Sequence, residues 1–182
     1  MIKGCSAVTL NSIKAECEKS SGGIKRILIS QRSDVTVTIS TSDNTYNEIT
    51  DIKNATGAKF VEWTFRPETG SYTSTLTTDF KTGNDSWSTV VSLQFTRVEA
   101  EKRMYIQSAI NAAAAVIVED FNGSKIYLGL DEPVYATNGT MVSGTAREDL
   151  NGFTVEFTDK SSEMPHFISD DFDIDSLLTA GA

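Results

Sequence analysis

One histidine, two cysteines and three prolines are all that 182 residues offer of those three types. The scarcity excludes much chemistry. A Ser-His-Asp or Cys-His system would have to use His166, in the context Pro165-His-Phe167, and no Gly-x-Ser-x-Gly elbow accompanies it. A Walker loop and a dinucleotide fingerprint are also missing, and Gly144-Thr-Ala146 reads as a turn, not a phosphate cradle. Cys5 and Cys17 have no histidine near them, so they read as reduced thiols and not as a disulfide or metal site. No apolar run reaches the length of a membrane span, and the stretch from Met1 to Leu10 is too weakly apolar for a good signal peptide. The chain is therefore expected to be soluble and cytoplasmic when made.

Positive charge is scarce too. Sixteen Lys and Arg stand against 25 Asp and Glu, a net charge of -9, which argues against a protein that grips nucleic-acid phosphates. An acidic wall that repels nucleic acid stays open. The charge is uneven: residues 1–32 hold six Lys/Arg against Glu16 and Glu18, whereas residues 159–182 hold six acids against Lys160. Paired carboxylates at Asp131-Glu132 are the type used in glycoside hydrolysis. The alternating acids of Asp171-Phe-Asp-Ile-Asp175 lack the glycine-centred loop and closing Glu of a calcium site. The four sequons, at Asn54, Asn84, Asn122 and Asn138, follow from the Ser/Thr bias, 42 residues of 182. The chain reads as a non-enzyme with no cofactor and no metal.

What is present is β pattern. In Ser71-Tyr-Thr-Ser-Thr-Leu-Thr-Thr-Asp-Phe80, Tyr72, Ser74, Leu76, Thr78 and Phe80 alternate with Thr73, Thr75, Thr77 and Asp79. After the turn residues Lys81–Asp85, the positions Trp87, Thr89, Val91, Leu93 and Phe95 share a face, with Ser86, Ser88, Ser92, Gln94 and Thr96 on the other. Period-two alternation on both sides of a Gly/Asn/Asp turn predicts a long antiparallel hairpin over about 70–97. It is too long for its own small core, so Tyr72, Thr73, Thr75, Thr77, Ser86, Ser88, Ser92 and Gln94 are candidates for a contact between subunits. A helix over about 99–115 follows, free of Gly and Pro. Its expected core face carries Tyr105, Ile106, Ala109 and Ile110. Strands are expected at Ile24–Ser30, Val35–Ser40, Ile49–Lys53, Lys59–Phe65 and Val116–Phe121. Three Asn-Gly pairs, at 122–123, 138–139 and 151–152, punctuate the second half as turns.

One domain is expected over residues 1–168, with residues 1–23 as a lead that includes two helical turns between Leu10 and Lys19. Residues 169–182 are read as an acidic arm, in which Asp170, Asp171, Asp173 and Asp175 reach a basic partner and Phe172 and Ile174 anchor it. The fold class is mainly β: an antiparallel sandwich or split barrel with one packed helix.

Lys125-Ile-Tyr-Leu-Gly-Leu-Asp-Glu-Pro-Val-Tyr135, followed by Gly144-Thr-Ala-Arg-Glu-Asp-Leu-Asn-Gly-Phe-Thr-Val-Glu-Phe-Thr158 and the exit Met164-Pro-His-Phe167, resembles a recurring pattern in virion proteins. These are proteins of Bacteroidales phages, including crAss-like ones. The resemblance covers about residues 59–168. The family is similar to the tail-tube fold, in which a long hairpin or loop reaches to the next subunit. It implies a homo-oligomeric ring of the tail barrel or head–tail connection, of twelve or six copies, meeting an adjacent ring, portal or tail proteins. Such a ring encloses DNA without reading its sequence, in the virion and away from membranes. A rival reading from the residues alone is a carbohydrate- or surface-binding sandwich using Trp63, Trp87 or Tyr72 as a platform. A phage glycan hydrolase using paired carboxylates is the third.

Overall fold

β1 (Ile24–Gln31) is the strand on which both cores are built. Its even and odd positions are both apolar in the middle, so it needs cover on two faces. Ile27 and Ile29 enter one core; Leu28 enters the other. A computed structural model of the protein describes residues 13, 19–40, 47–79, 81 and 83–179. The expected helical turns of Leu10–Lys19, both cysteines, the loop at Thr41–Thr45 and Phe80 lie outside the described residues, Ile13 and Lys19 apart.

β1 pairs antiparallel with β4 (Val61–Thr64) on one side and β7 (Ala114–Asp120) on the other. β7 continues through the Asn122-Gly123 turn into β8 (Lys125–Leu128), and β11 (His166–Phe167) completes a five-stranded sheet in the order β11-β8-β7-β1-β4. A second sheet runs β5-β6-β10-β9: β5 (Gly70–Asp79), β6 (Asn84–Thr96), β10 (Gly152–Ser161) and β9 (Tyr135–Val142). β2 (Val35–Ile39) and β3 (Ile49–Asn54) form a separate pair. The mainly β, antiparallel architecture expected from the sequence is what forms.

The first core lies between the two larger sheets. Val91 and Leu93 of β6 and Phe153, Val155 and Phe157 of β10 pack there with Ile27, Val116, Val118 and Leu128. The second core lies on the opposite face of the five-stranded sheet. There Leu28, Ile117 and Tyr127 are covered by Val35, Ile49 and Ile52 from the β2–β3 pair and by Ile168, Ile174 and Leu177. The segment read as a free acidic arm is thus part of the domain. Ile174 and Leu177 lie in a 3-10 turn over Ile174–Leu178, and Asp173 caps it by accepting the Asp175 N–H at 3.0 Å. The pattern is too short for a periodicity, because only Ile174 and Leu177, with the half-buried Phe172 and Leu178, reach the core.

The helix α1 is Ala100–Ile110, shorter than expected. Asn111 ends it, and Ala114 and Ala115 instead enter β7 opposite Gln31 and Ser30. Alanine is the best helix former, but propensity yields to tertiary contacts, and pairing with β1 buries both residues completely. Ile106 and Ala109 face the core as expected, but Tyr105 and Ile110 do not: they are 50% and 38% exposed. Tyr105 points its hydroxyl back along the helix to Glu101 at 2.8 Å. Ile106→Ala is accordingly expected to cost about 2–5 kcal/mol in denaturant unfolding. Ile110→Ala is expected to cost less than about 1 kcal/mol, and equal losses would place both residues in the core.

Candidate functional site

The four-stranded sheet has one face in the first core and one face open. β6 alternates strictly: Thr89, Val91 and Leu93 are buried, while Ser88, Val90, Ser92 and Gln94 between them are half-covered by flanking strands alone. Register carries this alternation outward. Ser71, Thr73, Thr75 and Thr77 of β5 stand opposite Ser92, Val90, Ser88 and Ser86. On the other side Thr154, Glu156 and Thr158 of β10 stand opposite Gln94, Ser92 and Val90. The outermost strand adds Asn138 and Thr140. The open face is therefore a field of hydroxyls and amides. Among the described residues of these strands, Lys160 is its one cation, and Glu156 and Asp79 are its anions.

Seven of the eight candidate contact residues, Thr73, Thr75, Thr77, Ser86, Ser88, Ser92 and Gln94, share this face. Tyr72 does not; it pairs with Val91 and lies on the core side. Burial, aided by the Asp120 carboxylate, holds its phenol above the ordinary pKa. Tyr72 and Leu76 remain partly exposed even though they point to the core side. Both belong to β5, the edge strand, which has a neighbour on one side only. Beyond them the hairpin also overhangs: β10 pairs with β6 only as far as Trp87, so Asn84–Ser86 and Thr77–Asp79 opposite them project past it. Within the sheet Ser74 and Thr89 share a hydroxyl hydrogen bond of 2.5 Å, and Thr137 and Thr158 share one of 2.7 Å.

Both edges of this sheet are open. β5 bonds to β6 alone and β9 to β10 alone among the described strands. Ten residues of β5 carry one charge, Asp79, and eight residues of β9 carry none. The usual devices that blunt an edge, a lysine, a proline or an inward-pointing charge, are missing from both. β9 was not expected: Asn138-Gly139 looks like a hairpin turn, yet it lies inside the strand, with a bulge at Thr137 where the register with Glu156 and Phe157 shifts. The signal for a strand was the flanking Tyr135, Thr137, Thr140 and Val142, residues that favour extended backbone.

The other sequence candidates are engaged elsewhere. His166 sits on β11 with Nδ1 2.9 Å from the Asn47 carbonyl and Nε2 3.5 Å from Glu163. Asp131 accepts from the Ser162 N–H at 3.0 Å, the Ser162 hydroxyl at 2.8 Å and the Ser161 hydroxyl at 3.0 Å, which hold it below the ordinary carboxylate range. Asp175 meets Arg26 of its own chain at 2.8 Å. Asp170, Asp171 and Phe172 flank that docked turn. Trp63 packs edge-on against Phe95, with ring centroids 5.4 Å apart. Among the described residues no group of three or more His, Cys, Asp or Glu is placed to hold a metal ion. Protein-family models, curated proteins and solved structures were all compared with this chain, and nothing matches.

Proposed function

We propose that this protein is a phage virion structural subunit that closes into a homo-oligomeric ring of the tail barrel or head–tail connection. The observation that carries this reading is the pair of long edges at opposite sides of one sheet, free of lysine and proline and with Asp79 as their single charge. β5 of one copy adds to β9 of the next. A head-to-tail contact of this kind uses two different surfaces and closes into a ring when the rotation allows. The open face, continuous from copy to copy, then lines the channel. Its hydroxyls offer DNA phosphates almost no cation to neutralise, so DNA slides without being held. The resemblance to tail-tube-like virion proteins points the same way. Partners above and below are an adjacent ring, the portal or other tail proteins, and no cofactor is called for.

A single lysine on either edge tests the contact. Ser92 lies in the middle of the sheet, so β5 and β9 are the strands to alter. Thr75→Lys and Thr140→Lys are each expected to abolish rings in negative-stain images while leaving monomer stability within about 0.5 kcal/mol. Mixed together, the two variants retain one matching pair of edges and should stop at a one-to-one dimer by analytical ultracentrifugation. Rings from either variant alone would defeat the reading.

A further inference from the structure

The three Asn-Gly pairs share a sequence but not a geometry. We propose that Asn138 is a site of spontaneous deamidation, converted to aspartate or isoaspartate within the edge strand β9. In this reaction the backbone nitrogen of the following residue attacks the side-chain carbonyl carbon. A C–N bond forms and closes a five-membered imide; the Cγ–Nδ2 bond breaks and ammonia leaves, taking up the proton lost from the backbone nitrogen. Water then opens the imide at either carbonyl.

The fold brings the reacting groups together at Asn138 alone. The Gly139 N–H donates to Asn138 Oδ1 at 2.9 Å, which sets the attacking nitrogen beside the side-chain amide it must reach. Both residues are exposed, so water and base reach them. At Asn122 the side-chain Oδ1 accepts from the Ser21 N–H at 2.8 Å, and the Gly123 N–H is directed to the Asp120 carbonyl at 3.2 Å. At Asn151 the Oδ1 accepts from the Val98 N–H at 3.0 Å and Nδ2 donates to the Ser143 carbonyl at 3.3 Å. Gly152, which follows, is buried against the Phe95 backbone. In both pairs the side-chain oxygen is held by a different segment of the chain. At Asn138 it is met by the N–H of the very next residue, and only Nδ2 is held across the ladder, by Glu156.

Conversion changes the edge. Asn138 Nδ2 donates to Glu156 Oε2 at 3.1 Å across the β9–β10 pair. The product sets two carboxylates facing each other there, and like charges directly opposite destabilise a strand pair. Isoaspartate also lengthens the backbone by one carbon, which shifts the register of every residue beyond it.

The test is peptide mapping by mass spectrometry after ageing the purified full chain at warm, mildly alkaline pH. The mass gain of amide-to-acid conversion is expected to accumulate at Asn138 several-fold faster than at Asn122 or Asn151. In concentrated urea the three sites should convert at similar rates. Gly139→Ala provides the second arm: a Cβ there meets only the Thr154 carbonyl, at 3.6 Å, so the variant folds with an unchanged melting temperature. Its Asn138 should convert several-fold more slowly. Conversion at Asn122 or Asn151 as fast as at Asn138 in the native chain overturns the proposal. So does an excess at Asn138 that persists unchanged in urea.

Discussion

Arg26→Ala is expected to lower the unfolding free energy by about 3 kcal/mol, the lower end of the range for breaking a buried ion pair. The Arg26 side chain is 16% exposed, and its guanidinium bonds Glu119 on β7 at 2.5 Å, Glu62 on β4 at 2.9 Å and Asp175 in the C-terminal turn at 2.8 Å. It therefore ties together both neighbours of β1 and the segment that covers it. Without it, the buried Glu119 retains Lys25, at 2.6 Å, whose side chain is half-exposed. Lys25→Ala should cost about 1 kcal/mol or less, since a partner in water contributes little. The double variant Arg26→Met with Glu119→Leu should regain most of the loss, because no buried charge is left unpaired. Burial opposes the charged form of Glu119, and the hydrogen bonds from Lys25 and Arg26 outweigh it, so its pKa lies below the ordinary 4.5. The stability it contributes is present above 4.5 and lost as pH falls through the lower folded value. The gap between wild type and Arg26→Ala should thus narrow in acid. Urea titrations at several pH values would show it, and a gap constant down to strongly acidic pH would contradict the assignment.

Asp159→Asn is expected to do the reverse and stabilise the protein at neutral pH. Asp159 is buried on β10, where its Oδ1 accepts from the Gly129 N–H at 3.0 Å. Gly129 turns the chain out of β8 with φ +96°, and a Cβ there would press on the Ala114 carbonyl. The turn is therefore fixed with its N–H aimed at the carboxylate. Burial, with Asp131 and Glu132 in the same loop adding like charge, pushes the Asp159 pKa from 3.8 to about 6, against the lowering by the Gly129 bond. A folded pKa above the unfolded one means that ionisation favours the unfolded chain. The penalty is absent below 3.8, grows as pH rises towards 6, and is constant above that, at up to about 3 kcal/mol. Asn retains the acceptor for Gly129 and cannot ionise. Its melting temperature should exceed that of the wild type at pH 8, and the two should converge near pH 4. Equal melting at pH 8, or a gap that widens in acid, would remove Asp159 from this role.

Strands that carry their own alternation were readable directly. Thr89, Val91 and Leu93 against Ser88, Val90 and Ser92 place one face of β6 in the core, and the same rule placed seven of eight contact candidates on one surface. What could not be read depended on residues distant in sequence. Ala114 and Ala115 look helical until β1 is beside them. Asn138-Gly139 has the composition of a turn, and only the ladder with β10 holds it extended. Ile174 and Leu177 are two apolar side chains in an acidic stretch, and their burial requires a surface supplied by β1, β7 and β8. The β9 edge was missed for the same reason, so half of the candidate contact lay beyond local pattern.

The double-sided burial of β1 also constrains when folding can finish. β1 pairs with β7 some ninety residues later: Ile27 stands opposite Val118. Its other face is roofed by Ile174 and Leu177. During synthesis Leu28 and its neighbours therefore leave the ribosome well before the segments that pair with them and cover them. Pairings this distant in sequence are slow to form, because a long loop must close before any contact rewards it. Until β7 has been made β1 has an unpaired edge, and until Leu177 has been made one of its apolar faces lacks part of its cover, a form prone to aggregate. A chaperone that shields extended apolar segments is the kind of helper its synthesis calls for.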